Sequence, residues 1–141
     1  DASLTNLALA ARVHVSPASC LRRTLRLMYG GWSERTVTLL AADRFAPGLS
    51  AIVEVVLEPQ SVQTLDAFEA RASADSAVQQ CYRTARGPDF VLFAMVTDMP
   101  AWQAFLQRVM TDDLHVRNVR SYFVAKRAKF APAIPLPVPR R

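Results

Sequence analysis

Seven consecutive apolar residues, Phe90 to Val96, stand between Asp89 and Thr97. Side chains alternate across a strand, so Phe90, Leu92, Ala94 and Val96 face one way and Val91, Phe93 and Met95 the other. A strand apolar on both faces belongs to a sheet that must be covered twice. One layer of helices within the domain covers one face. A partner subunit is the simplest cover for the other, so a homo-oligomer is expected, a dimer or a larger tetramer or octamer.

The rest of the chain supplies that sheet and its helices. Leu49 to Leu57 reads as a strand with Ala51, Val53, Val55 and Leu57 on one face and Glu54 and Glu58 on the other, ended by Glu-Pro. Ser61 to Ala72 reads as a helix with Val62, Leu65, Phe68 and Ala72 on its inner side. Val78 to Arg86 and Asp89 to Thr97 form a hairpin about Gly87-Pro88. Asp98 caps a helix whose Trp102, Phe105, Leu106, Val109 and Met110 fall at i, i+3, i+4, i+7 and i+8. Val116 to Lys129 supplies a last strand, and four prolines from Pro132 onward make an extended tail. The order strand, helix, strand, strand, helix, strand predicts an α+β chain with a ferredoxin-like βαββαβ domain over residues 48–130 and a Pro-rich tail over 131–141.

The N-terminal third differs in charge. Between Ala2 and Ser33 lie Arg12, Arg22, Arg23 and Arg26 and no acid, whereas residues 48–141 carry eleven bases against nine acids. An anionic partner is therefore expected at the N-terminal third. Leu4 to Val13 reads as a short helix capped by Thr5. Ser16-Pro17 starts a second, with a side-chain acceptor at the N-cap and proline at the first helical position, and Gly30-Gly31 stops it. Two helices joined by His14-Val15 make a helix-turn-helix. At 100° per residue Cys20, Leu21, Thr24, Leu25, Leu27 and Met28 share one arc of the second helix. Ser19, Arg22, Arg23 and Arg26 fill the opposite one. A solvated basic face is the bland reading of that arc. Against it, no acid lies three or four residues from any of the three arginines, so they repel one another unless phosphate is near. Beyond Trp32, the alternation of Val37 and Leu39 predicts a strand leaving this first domain, residues 1–47, with a hinge at Pro47-Gly48.

Other classes of chemistry are not supported. Of 141 residues, 51% are hydrophobic and 21% charged, enough for one ordinary domain or two small ones. The stretches free of ionisable side chains, Ala2 to Ala11 and Phe130 to Pro139, reach ten residues, about half a membrane span. No secretory leader opens the chain, and Cys20 and Cys81 cannot form a disulfide framework, so a soluble cytoplasmic protein without a membrane partner is expected. Four glycines, of which only Gly30 and Gly31 are neighbours, make neither a P-loop nor a dinucleotide fingerprint. His14, His115, Cys20 and Cys81 lack zinc-ligand spacing, so neither metal nor cofactor is expected. An enzyme or a small-ligand-binding protein on a dimeric ferredoxin-like sheet is the alternative reading. The enzyme has no catalytic constellation, since Cys81 lies mid-strand and Asp112-Asp113 are neighbours on a loop. An RNA-binding sheet fails because Phe90 and Phe93 point to opposite faces.

Several motifs taken in order resemble the Lrp/AsnC family, the leucine-responsive and asparagine-responsive transcriptional regulators. Leu4-Thr5-Asn6 through Val15-Ser16-Pro17-Ala18-Ser19-Cys20-Leu21-Arg22-Arg23 is similar to that family's helix-turn-helix. Arg83 through Asp89-Phe90-Val91-Leu92 resembles its effector-domain hairpin, and Val119-Arg120-Ser121-Tyr122-Phe123 through Ala133-Ile134-Pro135-Leu136 its closing strand and tail. The resemblance implies a sequence-specific, (winged) helix-turn-helix regulator of double-stranded DNA, nucleoid-associated, with an amino acid or related metabolite as effector. It places Ser16, Pro17, Ser19, Arg22, Arg23 and Arg26 at the DNA major groove. It places Asp89 and Ser121 at effector-site positions, with Arg86, Gly87 and Pro88 in the adjoining loop and Val119 one pleat from Ser121. Family members begin with a further helix, absent from these residues, without which Leu21, Leu25 and Met28 would lack part of their cover. Ala85-Arg86 stands where Thr-Gly is usual, which substitutes charge for backbone approach and points to an unusual, acidic effector or to none.

Overall fold

The computed structural model describes residues 3–34, 36–40, 48–111 and 115–131. The chain forms two compact units, divided at Ala41/Ala42.

The first unit holds α1 (Asn6–Arg12) and α2 (Pro17–Tyr29). Both N-caps are those the sequence names. The Thr5 hydroxyl accepts the Ala8 N–H at 3.2 Å and the Ser16 hydroxyl accepts the Ser19 N–H at 3.3 Å, each satisfying a donor that the first helical turn leaves open. His14, at φ 54°, makes the turn between them, and the Val15 N–H closes it on the Ala10 carbonyl at 3.1 Å. Ala10 and Cys20 are buried, while Leu21 and Leu25 on the apolar arc of α2 remain 47% and 38% exposed and Met28 51%. The expected strand at Val37 and Leu39 is not formed. Residues 36–40 carry no ladder, because a strand exists only by pairing and no other strand lies among the described residues of this unit. The hinge at Pro47 falls outside the described residues.

The second unit contains β1 (Leu49–Leu57), α3 (Val62–Ala74), β2 (Val78–Arg83), β3 (Phe90–Val96), α4 (Met99–Leu106), a π turn (Gln107–Thr111) and β4 (Val116–Phe123). The sheet is antiparallel in the order β2-β3-β1-β4, the ferredoxin-like arrangement. Ala51, Val53, Val55 and Leu57 of β1 and Phe90, Leu92 and Ala94 of β3 are fully buried beneath Phe68 and Ala72 of α3 and Trp102, Phe105, Val109 and Met110 of the second helical segment. Phe68 meets Phe90 at a ring separation of 4.8 Å.

Three expectations for this unit need correction. Val62 is 63% exposed, because α3 buries the stripe Thr64, Phe68 and Ala72, and Val62 lies about 120° round the helix from its centre. β4 stops at Phe123, not Lys129, since its partner β1 begins at Leu49 and the last bond is Val124 N–H to Ser50 O at 2.8 Å. β2 ends at Arg83, because the hairpin turn takes residues 84–89. The second face of the sheet carries Val91, Phe93 and Met95, all partly exposed, beside Ile52, Tyr82 and Tyr122. The Pro-rich tail beyond Ala131 and the pair Asp112-Asp113 fall outside the described residues.

Candidate functional site

Ser16, Pro17 and Ser19 open α2, where cap and proline fix its start, and the amide of Asn6 donates to the Pro17 carbonyl at 2.9 Å, tying α1 to that start. One and two turns further on, Arg22, Arg23 and Arg26 line a shallow hollow with Leu27. Among the described residues none of the three forms an ion pair. The helix thus presents three uncompensated guanidinium groups, each with donors set for bidentate contact with phosphate or with guanine edges. Tyr29, 87% exposed, lies about 20° round the helix from Arg22 and extends the same face; carrying the wheel one turn further finds it in the sequence.

The hairpin residues are brought together at one end of the sheet. Asp89 is bound on four sides: its N–H donates to Val55 O at 2.8 Å and its carbonyl accepts from Thr84 N at 2.9 Å. Its carboxylate accepts the Leu57 N–H at 2.7 Å and the Gln60 amide at 2.9 Å. The Thr84 hydroxyl donates to the Arg86 carbonyl at 3.3 Å and also to that of Pro88. Gly87 sits at φ 90°, a conformation open to glycine and strained for other residues. These bonds leave Arg86 exposed at the tip of a loop fixed to β1. Val119 and Ser121 pair with Val55 and Val53 and so share the helix-covered side of the sheet, Val119 half-buried and Ser121 exposed. β1 separates them from the hairpin, so Phe90 and Val119 are about two inter-strand spacings, roughly 10 Å, apart.

Of the residues that other functions would need, Cys81 packs against the core and Phe90 lies within it. Burial pushes the Cys81 thiol up, and a hydrogen bond with Ser73 only partly opposes this, which is the reverse of an activated nucleophile. Phe90 is buried under the helices while Phe93 lies on the other face, so the two rings cannot form one stacking platform.

The Lrp/AsnC ligand binding domain matches residues 50–134, from β1 through the hairpin and β4. The chain belongs to the Lrp/AsnC family. It is 31% identical to the Bkd operon transcriptional regulator of Pseudomonas aeruginosa, over 96% of this chain and 89% of that one. It is 30% identical to the leucine-responsive regulatory protein of Rhizobium meliloti, over 93% and 84%. Among solved structures, a transcriptional regulator from Neisseria meningitidis in complex with L-methionine superposes with a TM-score of 0.85 at 29% identity, covering 95% of this chain and 86% of that one. That match spans both units, so this Lrp/AsnC protein carries the helix-turn-helix and the ferredoxin-like domain in one chain.

Proposed function

We propose that this protein is a sequence-specific DNA-binding transcriptional regulator, with no catalytic activity, whose assembly or DNA binding responds to an amino acid or related small metabolite. The observation that carries the DNA half is α2: a Ser16-capped helix that presents Arg22, Arg23 and Arg26 on one face, with no acid among the described residues forming an ion pair with them. Ser16, Pro17 and Ser19 let its start approach a groove closely, and the arginines divide between base edges and phosphates. Double-stranded DNA as partner puts the protein in the cytoplasm, on the nucleoid. No helix among the described residues is long and apolar enough to cross a membrane.

The effector half rests on the family and on the relative crystallised with L-methionine. We assign the ligand to the end of the sheet where Arg86, Gly87, Pro88 and Asp89 meet β1, with Val119 and Ser121 on the strand beyond. A second copy on the open sheet face completes the assembly, since Val91, Phe93 and Met95 need cover that this domain's helices do not give.

Thermal stability of the full chain against a panel of the twenty amino acids, read with elution size, tests this. A ligand that binds only the folded state raises stability by RT ln(1 + [L]/Kd). One amino acid that raises Tm and changes elution size is the expected result. No shift with any of them removes the amino-acid response and leaves the DNA half to its own test.

A further inference from the structure

The near balance of charge over residues 48–141 is an average of two unlike parts. All nine acids lie at or before Asp113, whereas Val116 to Arg141 carries seven Lys and Arg residues and no acid. Two of the seven have acids beside them on the sheet: Arg117 pairs with Glu58 at 3.2 Å, and Arg120 stands opposite Glu54 in the β1–β4 register.

Lys126, Arg127 and Lys129 differ. They fall within four residues just past β4, all are exposed, and among the described residues no acid forms an ion pair with them. The root of this segment is fixed to the fold. Val124 bonds to Ser50 at 2.8 Å and the Phe123 ring packs edge-on against Trp102 at 5.2 Å. Arg127 lies over the exposed Phe130 ring at 5.2 Å. An arginine held against a ring has already given up much of the side-chain freedom that binding would cost it. Three cations this close repel one another until an anion neutralises them, and a polyanion does so with the largest gain because it releases its own counterions.

We propose that residues 126–130 form a second site of attachment to the phosphate backbone of DNA, apart from the arginine face of α2. This rests on the DNA-binding reading. The segment reads charge and no sequence, so it strengthens binding to any duplex. Its ordering element is the Phe130 ring under Arg127.

The test is the salt dependence of affinity of the full chain for a mixed-sequence duplex. Replacing Lys126, Arg127 and Lys129 together by Ala is expected to reduce the log–log slope by about 0.9 for each phosphate no longer neutralised, up to about 2.7, with Tm and elution size unchanged. Phe130→Ala, which removes no charge, is expected to weaken binding in the same direction by less. A control with the same change in net charge, Gln63→Glu, Ala67→Glu and Gln103→Glu on the outer helix surfaces, is expected to move the slope less than the triple variant does. An unchanged slope in the triple variant overturns the proposal. So does an equal fall in the control, which makes the effect one of net charge alone. Loss of binding to phosphatidylglycerol vesicles with DNA affinity intact would assign the segment to membranes and overturn it as well. If the unaltered protein binds no duplex at all, the DNA-binding reading itself falls.

Discussion

The carboxylate of Asp89 accepts the backbone N–H of Leu57 at 2.7 Å, fastening the β2–β3 hairpin to the last residue of β1. With the Gln60 amide on its other oxygen, this side chain holds the loop in place before it can hold any ligand. Asp89→Ala leaves the Leu57 N–H without its partner in a partly buried site. A loss of about 1–3 kcal/mol is expected in denaturant unfolding. Asp89→Asn keeps one acceptor oxygen and should lose less. Equal stability of Asp89→Ala and the unaltered protein would show that the bond holds nothing.

Arg22→Ala and Arg23→Ala take cations from the face proposed to bind DNA without touching the core, since both side chains lie on the arc of α2 opposite its apolar one. Each should lower duplex affinity and reduce the salt slope by about 0.9 for each phosphate it neutralises, while elution size stays the same. A change in oligomeric size with DNA affinity intact would place these arginines in an assembly surface instead.

Ile52 lies at the middle of the open sheet face, opposite Phe93 on one side and Tyr122 on the other, and is 42% exposed. A lysine there costs the isolated domain little, because its ammonium reaches water, but would be buried without a partner in a face-to-face assembly. Ile52→Lys should therefore shift elution toward the monomer with the fold retained by circular dichroism. Unchanged size would exclude this face as the assembly surface.

Much of this architecture is legible in the sequence. The bounds of β1 follow from the apolar row Leu49, Ala51, Val53, Val55 and Leu57 closed by Glu-Pro, and the starts of α1 and α2 from caps whose chemistry is local. What escapes is non-local. Nothing near Val124 announces that β1 has run out of residues to pair with, so β4 reads too long. Val37 and Leu39 alternate like a strand, yet a strand also needs a partner. The helical period of α3 is visible, but its phase depends on where the sheet lies, and pattern alone puts Val62 on the wrong side. Asp89 stands out by family position alone. Its bond to Leu57, 32 residues away, has no sequence signal.

Asp75 joins the end of α3 to the π turn. Burial raises its carboxyl, but the Arg108 guanidinium at 3.0 Å and the Ala77 N–H outweigh that and hold it below the ordinary aspartate value of 3.8. A carboxyl depressed on folding stabilises fully above its unfolded value, and that stability is lost as pH falls through the lower folded value. Asp75→Asn should thus lower Tm at pH 7, with the difference shrinking below about pH 4 as the aspartate protonates. A difference that stays constant down to about pH 2 would mean that the pair with Arg108 contributes nothing through charge.

On the proposed function, this chain reads DNA sequence and a small molecule alters the reading. The most direct measurement selects duplexes from a random pool with the full protein, then compares affinity for the enriched duplex and a scrambled one, with and without each amino acid. A recovered motif bound about 10³-fold or more above the scrambled duplex at physiological salt, with that affinity changed by one amino acid, is the expected result. Equal affinity for enriched and scrambled duplexes, whatever amino acid is present, would contradict it.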